Sequence, residues 1–247
     1  MTLTRRIRVD FQYLGANYAG WQWQDNALSI QQVAEEALSK IVNHTVRFTA
    51  SGRTDAGVHA IRQPAHVEVE TRMDDNSIMR AMNALLPPDI AVTSVETVPG
   101  GWHARFSAKE KTYRYDILNT KVRSVFLHGR AWLVHSPLDI EAMRRGAECL
   151  VGEHDFSSFR SSGCSAKSPV RTVFKVQLTR DSDLISFTVT ANGFLKQMVR
   201  NIVGTLVEAG RGKISPERVK QMLEARDRTA AGPCAPPEGL YLVDVVY

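Results

Sequence analysis

Two kinds of periodicity alternate along this chain in a fixed order, and the order occurs twice. From Ile7 to Tyr13, "IRVDFQY" puts Ile7, Val9, Phe11 and Tyr13 on one face, the two-residue period of a strand. After a turn-rich loop, "SIQQVAEEALSKIV" spaces Ile30, Val33, Ala37, Leu38 and Ile41 as a helix does, and Ser29 with Gln32 three residues on resembles a capping box. A short strand through Val46 and Phe48 follows, then a strand around "HVEVE". A helix "SIMRAMNALLPP" stopped by Pro87 and Pro88, and a strand "IAVTSV", complete the order βαββαβ.

The second half repeats this with longer parts. "KTYRYDIL" and "RAWLVH" read as strands, "DIEAMRRGAECLVG" as a helix capped by Asp139, and "TVFKVQLT" with "LISFTVTA" as a hairpin turned by "RDSD". In the long helix "FLKQMVRNIVGTLVEAG", Phe194, Leu195, Met198, Val199, Ile202 and Leu206 form the inward stripe, leaving Lys196, Gln197, Arg200 and Gly204 outward. A short helix "SPERVKQMLEA" and a closing strand "GLYLVDVVY" end the chain. The expectation is an α+β fold of two ferredoxin-like, split βαβ units that share a broad, mainly antiparallel sheet, with an active-site cleft where their loops meet. The division is expected at residues 1–105 and 106–247; a length of 247 residues suits one large or two small units.

Several classes of function find no support. The histidines never fall in a metal-binding spacing, and the "GEHDF" stretch from Gly152 to Phe156 reads as a polar loop, so no metal is expected. "AGRGKIS" lacks the Ser or Thr that a phosphate loop needs and reads as a helix end followed by a helix start. Neither a nucleophile elbow nor a dinucleotide fingerprint is present, so no cofactor is expected. Cys149, Cys164 and Cys234 are odd in number and widely spaced, which speaks against a disulfide framework and for a reducing, cytoplasmic location. No signal peptide and no membrane-spanning run are seen, and the net charge of +5 favours an anionic partner such as nucleic acid.

The candidate chemistry lies in four stretches. "ASGRTDAGVHA", Ala50 to Ala60, crowds Arg53, Thr54, Asp55 and His59 between glycines. Turn formation alone accounts for the Asp and the glycines; the alternative is a carboxylate presented for reaction on a loop held by a rigid scaffold. "YAGWQWQ", Tyr18 to Gln24, mixes Trp21 and Gln22 in a way that suits stacking and hydrogen bonding to bases, and equally a packed loop. "WHARFSAKEKTYRY" sets Arg105, Lys109, Lys111 and Arg114 beside aromatic residues, as on an RNA-binding surface or an ordinary exposed strand. In "GFLKQMVRNIVG", pattern alone makes Arg200 a solvated arginine.

Together, "YAGWQWQ", "SGRTDAGVHA", "HARFSAKEKTYRY", "GFLKQMVRNIVG" and "PPEGLYLVDVVY", in this order, resemble the tRNA pseudouridine synthase A family over nearly the whole chain. Trp102, where the family more often has Phe, and "GPCAPPEGL" are small departures. The resemblance implies that Asp55 is the nucleophile, that Tyr113 contacts the target uracil and that Arg200 pairs with Asp55. It also implies a homodimer that binds the tRNA anticodon stem-loop and isomerises uridines at tRNA positions 38, 39 and 40 without a cofactor. Tyr113, Arg53, Arg105, Lys109, Lys111, Trp21, Gln22 and His59 are the candidate substrate contacts. Whether Asp55 attacks C1′ or C6 stays open. So do two other readings, a non-catalytic RNA-binding protein and a nucleoside or glycoside hydrolase using the same aspartate.

Overall fold

The alternation near the N-terminus folds as strand β1 (Thr4–Tyr13), with Ile7, Val9, Phe11 and Tyr13 all buried. The structure is a computed structural model describing residues 4–247. Along the chain follow α1 (Ile30–Val42), β2 (Thr49–Ala50), β3 (His59–Glu70), α2 (Asp75–Leu85) and β4 (Ile90–Val98). Next come β5 (Glu110–Leu118), β6 (Trp132–Leu133), α3 (Ile140–Glu148), β7 (Gly152–Asp155), β8 (Val170–Asp181) and β9 (Leu184–Ala191). The last elements are α4 (Met198–Gly210), α5 (Pro216–Ala225) and β10 (Leu240–Val246). The fold is α+β with mainly antiparallel strands, and it divides into two units: one runs up to Lys109 and takes in Leu242–Tyr247, the other is Glu110–Tyr241.

In the first unit β1 lies between β3 and β4, antiparallel to both, and β2 pairs with β3. This is the 4-1-3-2 strand order of a split βαβ unit. The strand expected through Val46 and Phe48 is shorter and later: both residues are buried, but only Thr49 and Ala50 pair as strand. Helix α1 starts where Ser29 Oγ accepts the Gln32 N–H at 3.2 Å, while the Gln32 side chain turns to Glu36, so half of the capping box forms. Its inward face is rotated from the expected one. Ile30, Ala34, Ala37 and Leu38 are buried together with Gln31 and Glu35, and Val33 and Ile41 are only partly covered. The shift is tolerated because both polar side chains are hydrogen-bonded inside the unit.

The residues after β4 and the last strand contribute to the first unit's closure. Lys109 N–H donates to Val246 O at 2.8 Å, Arg62 pairs with Asp244 at 2.6 Å, and the Tyr247 hydroxyl donates to Ala104 O at 2.9 Å. Arg8, paired with the buried Asp10, lies over the Tyr247 ring at 4.9 Å.

In the second unit β9 lies between β5 and β8, antiparallel to both, and β6 runs parallel beside β5. Gly152–Asp155, expected as a loop, is instead strand β7 paired with β8, and Phe156 just after it is fully buried. Four residues are too few to show a period, so the strand has no signature of its own. Asp139 caps α3 as expected, its carboxylate accepting from the N–H groups of Glu141 and Ala142. Helix α4 begins only at Met198, because Gln197 takes a left-handed conformation at φ 57°. The outward placement of Gly204 is corrected: α4 is buried on several faces, and a Cβ on Gly204 would overlap Pro233 O. A strap of residues 228–236 lies along α4, with Gly232 N–H donating to Thr205 Oγ1 and Ala235 N–H to Arg200 O.

Candidate active site

The loop between β2 and β3 carries Arg53, Thr54 and Asp55, and its backbone is fixed from two sides. On one side lies the turn before α1. Trp21 N–H donates to Thr54 O at 3.1 Å and Gly57 N–H donates to Tyr18 O at 3.3 Å. The two segments approach so closely that a Cβ on Gly20, which sits at φ 90°, would overlap Thr54 O, so only glycine fits there. On the other side is a buried polar network absent from the sequence reading. The hydroxyls of Tyr13 and Thr54 share a hydrogen bond at 2.8 Å, and Gln63 donates to Gly52 O at 2.7 Å while accepting from Ser51 Oγ at 2.8 Å. Burial pushes the Tyr13 hydroxyl far above its ordinary range, which keeps it neutral and able to donate. Asp55 itself is half-buried at the loop's tip.

Two sequence candidates beside this loop are core residues. Trp21 is 1% exposed and packs edge-on against Phe11, with ring centroids 5.5 Å apart. His59 is fully buried, and its Nδ1 accepts the Gly15 N–H at 2.9 Å, tying the turn to β3. Both hold the loop's surroundings in place through packing and hydrogen bonding. Arg53 and Gln22, by contrast, are exposed and meet each other, the Arg53 Nε donating to Gln22 Oε1 at 3.0 Å.

The basic run is split between the units. Arg105 and Lys109 are exposed in the first, with Arg105 over the ring of Phe106, itself 77% exposed. His103 Nδ1 accepts both the Arg105 and Phe106 N–H groups, which fixes this turn. Lys111 is half-buried on β5 in the second unit.

Tyr113 and Arg200 belong to the second unit, Asp55 to the first. On β5, Tyr113 is buried with its ring edge-on to Phe194 at 4.9 Å. Two residues on, Tyr115 donates to Pro236 O at 2.7 Å, and burial pushes its hydroxyl far up. Arg200 is half-buried, and its Nε donates to Ala235 O at 2.7 Å, so the strap over α4 orients the guanidinium. The isolated pattern had made it a solvated arginine; the irregular strap that holds it has no periodicity to read.

Among the described residues no group of three His, Cys, Asp or Glu side chains is placed to hold a metal ion. No helix among them is long and apolar enough to cross a membrane.

The family described as tRNA pseudouridine synthase matches residues 11–107 and 147–247. A protein named tRNA pseudouridine synthase A from Burkholderia mallei (strain SAVP1) is 46% identical over 242 residues, covering 98% of this chain and 90% of that protein. One of the same name from Thermoanaerobacter sp. (strain X514) is 42% identical over 243 residues, covering 98% of this chain and 100% of its own. Among solved structures, the archaeal box H/ACA sRNP Nop10-Cbf5 complex is 12% identical with a TM-score of 0.38, over 91% of this chain and 59% of that one. That likeness is too slight to carry an argument.

Proposed function

The chain belongs to the tRNA pseudouridine synthase family, isomerases that act on tRNA, and on that premise we propose that it converts uridine to pseudouridine in the anticodon stem-loop with Asp55 as nucleophile and no cofactor. The observation that carries this reading is the fixed loop of Asp55. A half-buried carboxylate sits on a backbone held by Tyr18, Trp21 and a buried hydroxyl and amide network, the preorganisation that a nucleophile needs.

The reaction breaks the N1–C1′ bond, turns the uracil and joins C5 to C1′; the C5 proton leaves and N1 regains one, so no redox partner or water is consumed. In this proposal Asp55 either bonds C1′ and is displaced when C5 joins the sugar, or adds to C6 and is eliminated afterwards as the C5 proton leaves. Arg200, oriented by Ala235 O, is the cation this proposal gives to the site. Tyr113 lies against the uracil ring, and its hydroxyl relays the C5 proton, accepting it as it releases its own to solvent, from which N1 regains one. A stacked uridine must leave the helix first, at a cost of about a few kcal/mol, and Arg53 fills the space it vacates. Arg105 and Lys109 contact phosphate, and the exposed Phe106 beside them offers a stacking face. A homodimer in the cytoplasm completes the proposal, and light scattering that returns the mass of one chain would remove the dimer from it.

Release of tritium from a tRNA transcript labelled at C5 of uracil is the test. The wild-type chain should release it and Asp55→Ala should not. A wild type that releases none defeats the synthase reading, and free uracil among the products would favour a hydrolase instead. Normal release by Asp55→Ala would move the nucleophile elsewhere.

A further inference from the structure

A buried carboxylate in α1 anchors a one-way chain of hydrogen bonds that ends on the guanidinium two residues from Asp55. Glu35 is 3% exposed, yet three donors converge on it: Gln31 Nε2 at 2.7 Å and Phe48 N–H at 2.9 Å on Oε1, and Arg47 Nη1 at 2.8 Å on Oε2. Acting as acceptor on both oxygens, it fixes which way the amide of Gln31 points. Gln31, also buried, must turn its NH2 inward, and its NH2 bonds Phe48 O as well, at 3.1 Å. Its carbonyl oxygen therefore faces outward, where it accepts Gln22 Nε2 at 3.0 Å and Trp23 N–H at 3.0 Å. The same logic carries one step further. With its NH2 committed to Gln31, Gln22 presents its oxygen to Arg53, whose Nε donates at 3.0 Å.

We propose that Glu35, Gln31 and Gln22 are positioning residues for Arg53, a relay that holds its guanidinium ready to enter the RNA stack when the target uridine leaves. The inference rests on the synthase reading and adds to it a buried source for the order of an exposed side chain. A free arginine would lose several rotatable bonds' worth of freedom on insertion; an arginine already held in one arrangement loses less at the moment of flipping. Each amide in the relay is polarised by the next toward the buried charge, which strengthens the last bond of the series. Because ordering matters at the flipping step and not in the first encounter, the relay acts on turnover and leaves ground-state affinity for tRNA nearly unchanged.

The experiment is a double-mutant cycle between Gln22 and Arg53, read by single-turnover tritium release and by filter binding of the same transcript. Gln22 is exposed, so Gln22→Ala keeps the fold, which an unchanged melting temperature verifies. It should slow the single-turnover rate about tenfold, the effect of losing one hydrogen bond to a charged group, with the dissociation constant within about twofold. Arg53→Ala should slow it more, and the double variant should match Arg53→Ala alone. Gln31→Met, which keeps the shape and removes the amide, should reproduce Gln22→Ala. The relay is overturned if the Gln22 and Arg53 effects multiply in full, if neither slows turnover, or if the losses appear in binding alone. Activity of the wild type and its absence in Asp55→Ala, measured in the same series, separate failure of the relay from failure of the synthase reading.

Discussion

His66 shows how a single residue couples the first unit's packing to pH. It lies on β3, its ring against His103 at 4.6 Å, and its Nδ1 accepts the Ala104 N–H at 3.2 Å, a bond that requires a bare ring nitrogen. Burial, then the charges of His103 and Arg6, lower its pKa from the ordinary 6.5 to about 4. A histidine depressed in the folded chain resists the proton that the unfolded chain accepts. Between pH 6.5 and about 4 the unfolded state therefore binds more protons, and stability falls as pH falls. His66→Gln should flatten this limb in urea midpoints measured across that range, and an unchanged slope would remove His66 as its source. At this scale the sequence is legible where a residue's chemistry has one use and misleading where it has two. Asp55 and Arg53 stand out because a polar cluster on a loop is conspicuous. Trp21 and His59 share the same motifs but serve the core, and nothing in spacing separates a buried aromatic from a base-stacking one. Gln31 and Glu35 carry a signal that was available: they sit four apart, beside Ile30, Ala34 and Leu38 on the helix's inward side.

At the scale of elements, α4 and its strap make the sharpest case. Gly204 has no Cβ because Pro233 O occupies that space, and the same strap supplies the Ala235 oxygen that receives Arg200 Nε. Gly204→Ala should cost about 1–3 kcal/mol in urea unfolding, as overpacking does, and should lower tritium release even where the variant remains folded. Full activity with unchanged stability would show that the strap yields freely. Elements with a clean period were readable in advance: β1 from Ile7, Val9 and Phe11, α3 from its Asp139 cap, and α5 from Ser-Pro at its start. Those that depend on a neighbour were not. Strand β7 exists because β8 offers an edge, α4 starts late because Gln197 turns left-handed, and the strap has no period at all.

For the molecule as a whole, the βαββαβ order of the first half was legible from its succession of periods, and the strand order β4-β1-β3-β2 goes with it, whereas the second half adds β6 beside β5 and β7 beside β8. The net charge of +5 bears on the partner more than on the fold. If the two basic side chains Arg105 and Lys109 meet phosphates, tRNA affinity should fall roughly 7- to 12-fold between 50 and 200 mM salt. A nearly salt-independent affinity would contradict phosphate contact. The division into units has a consequence for how the chain is made. The second unit is one continuous stretch, Glu110–Tyr241, whereas the first needs Leu242–Tyr247 for the bonds to Lys109, Arg62 and Ala104. On the ribosome, the half that emerges first thus waits, short of its final strand, while the half translated later already has all its residues. Order of synthesis and order of completion run in opposite directions, and the loop of Asp55 belongs to the half that finishes last.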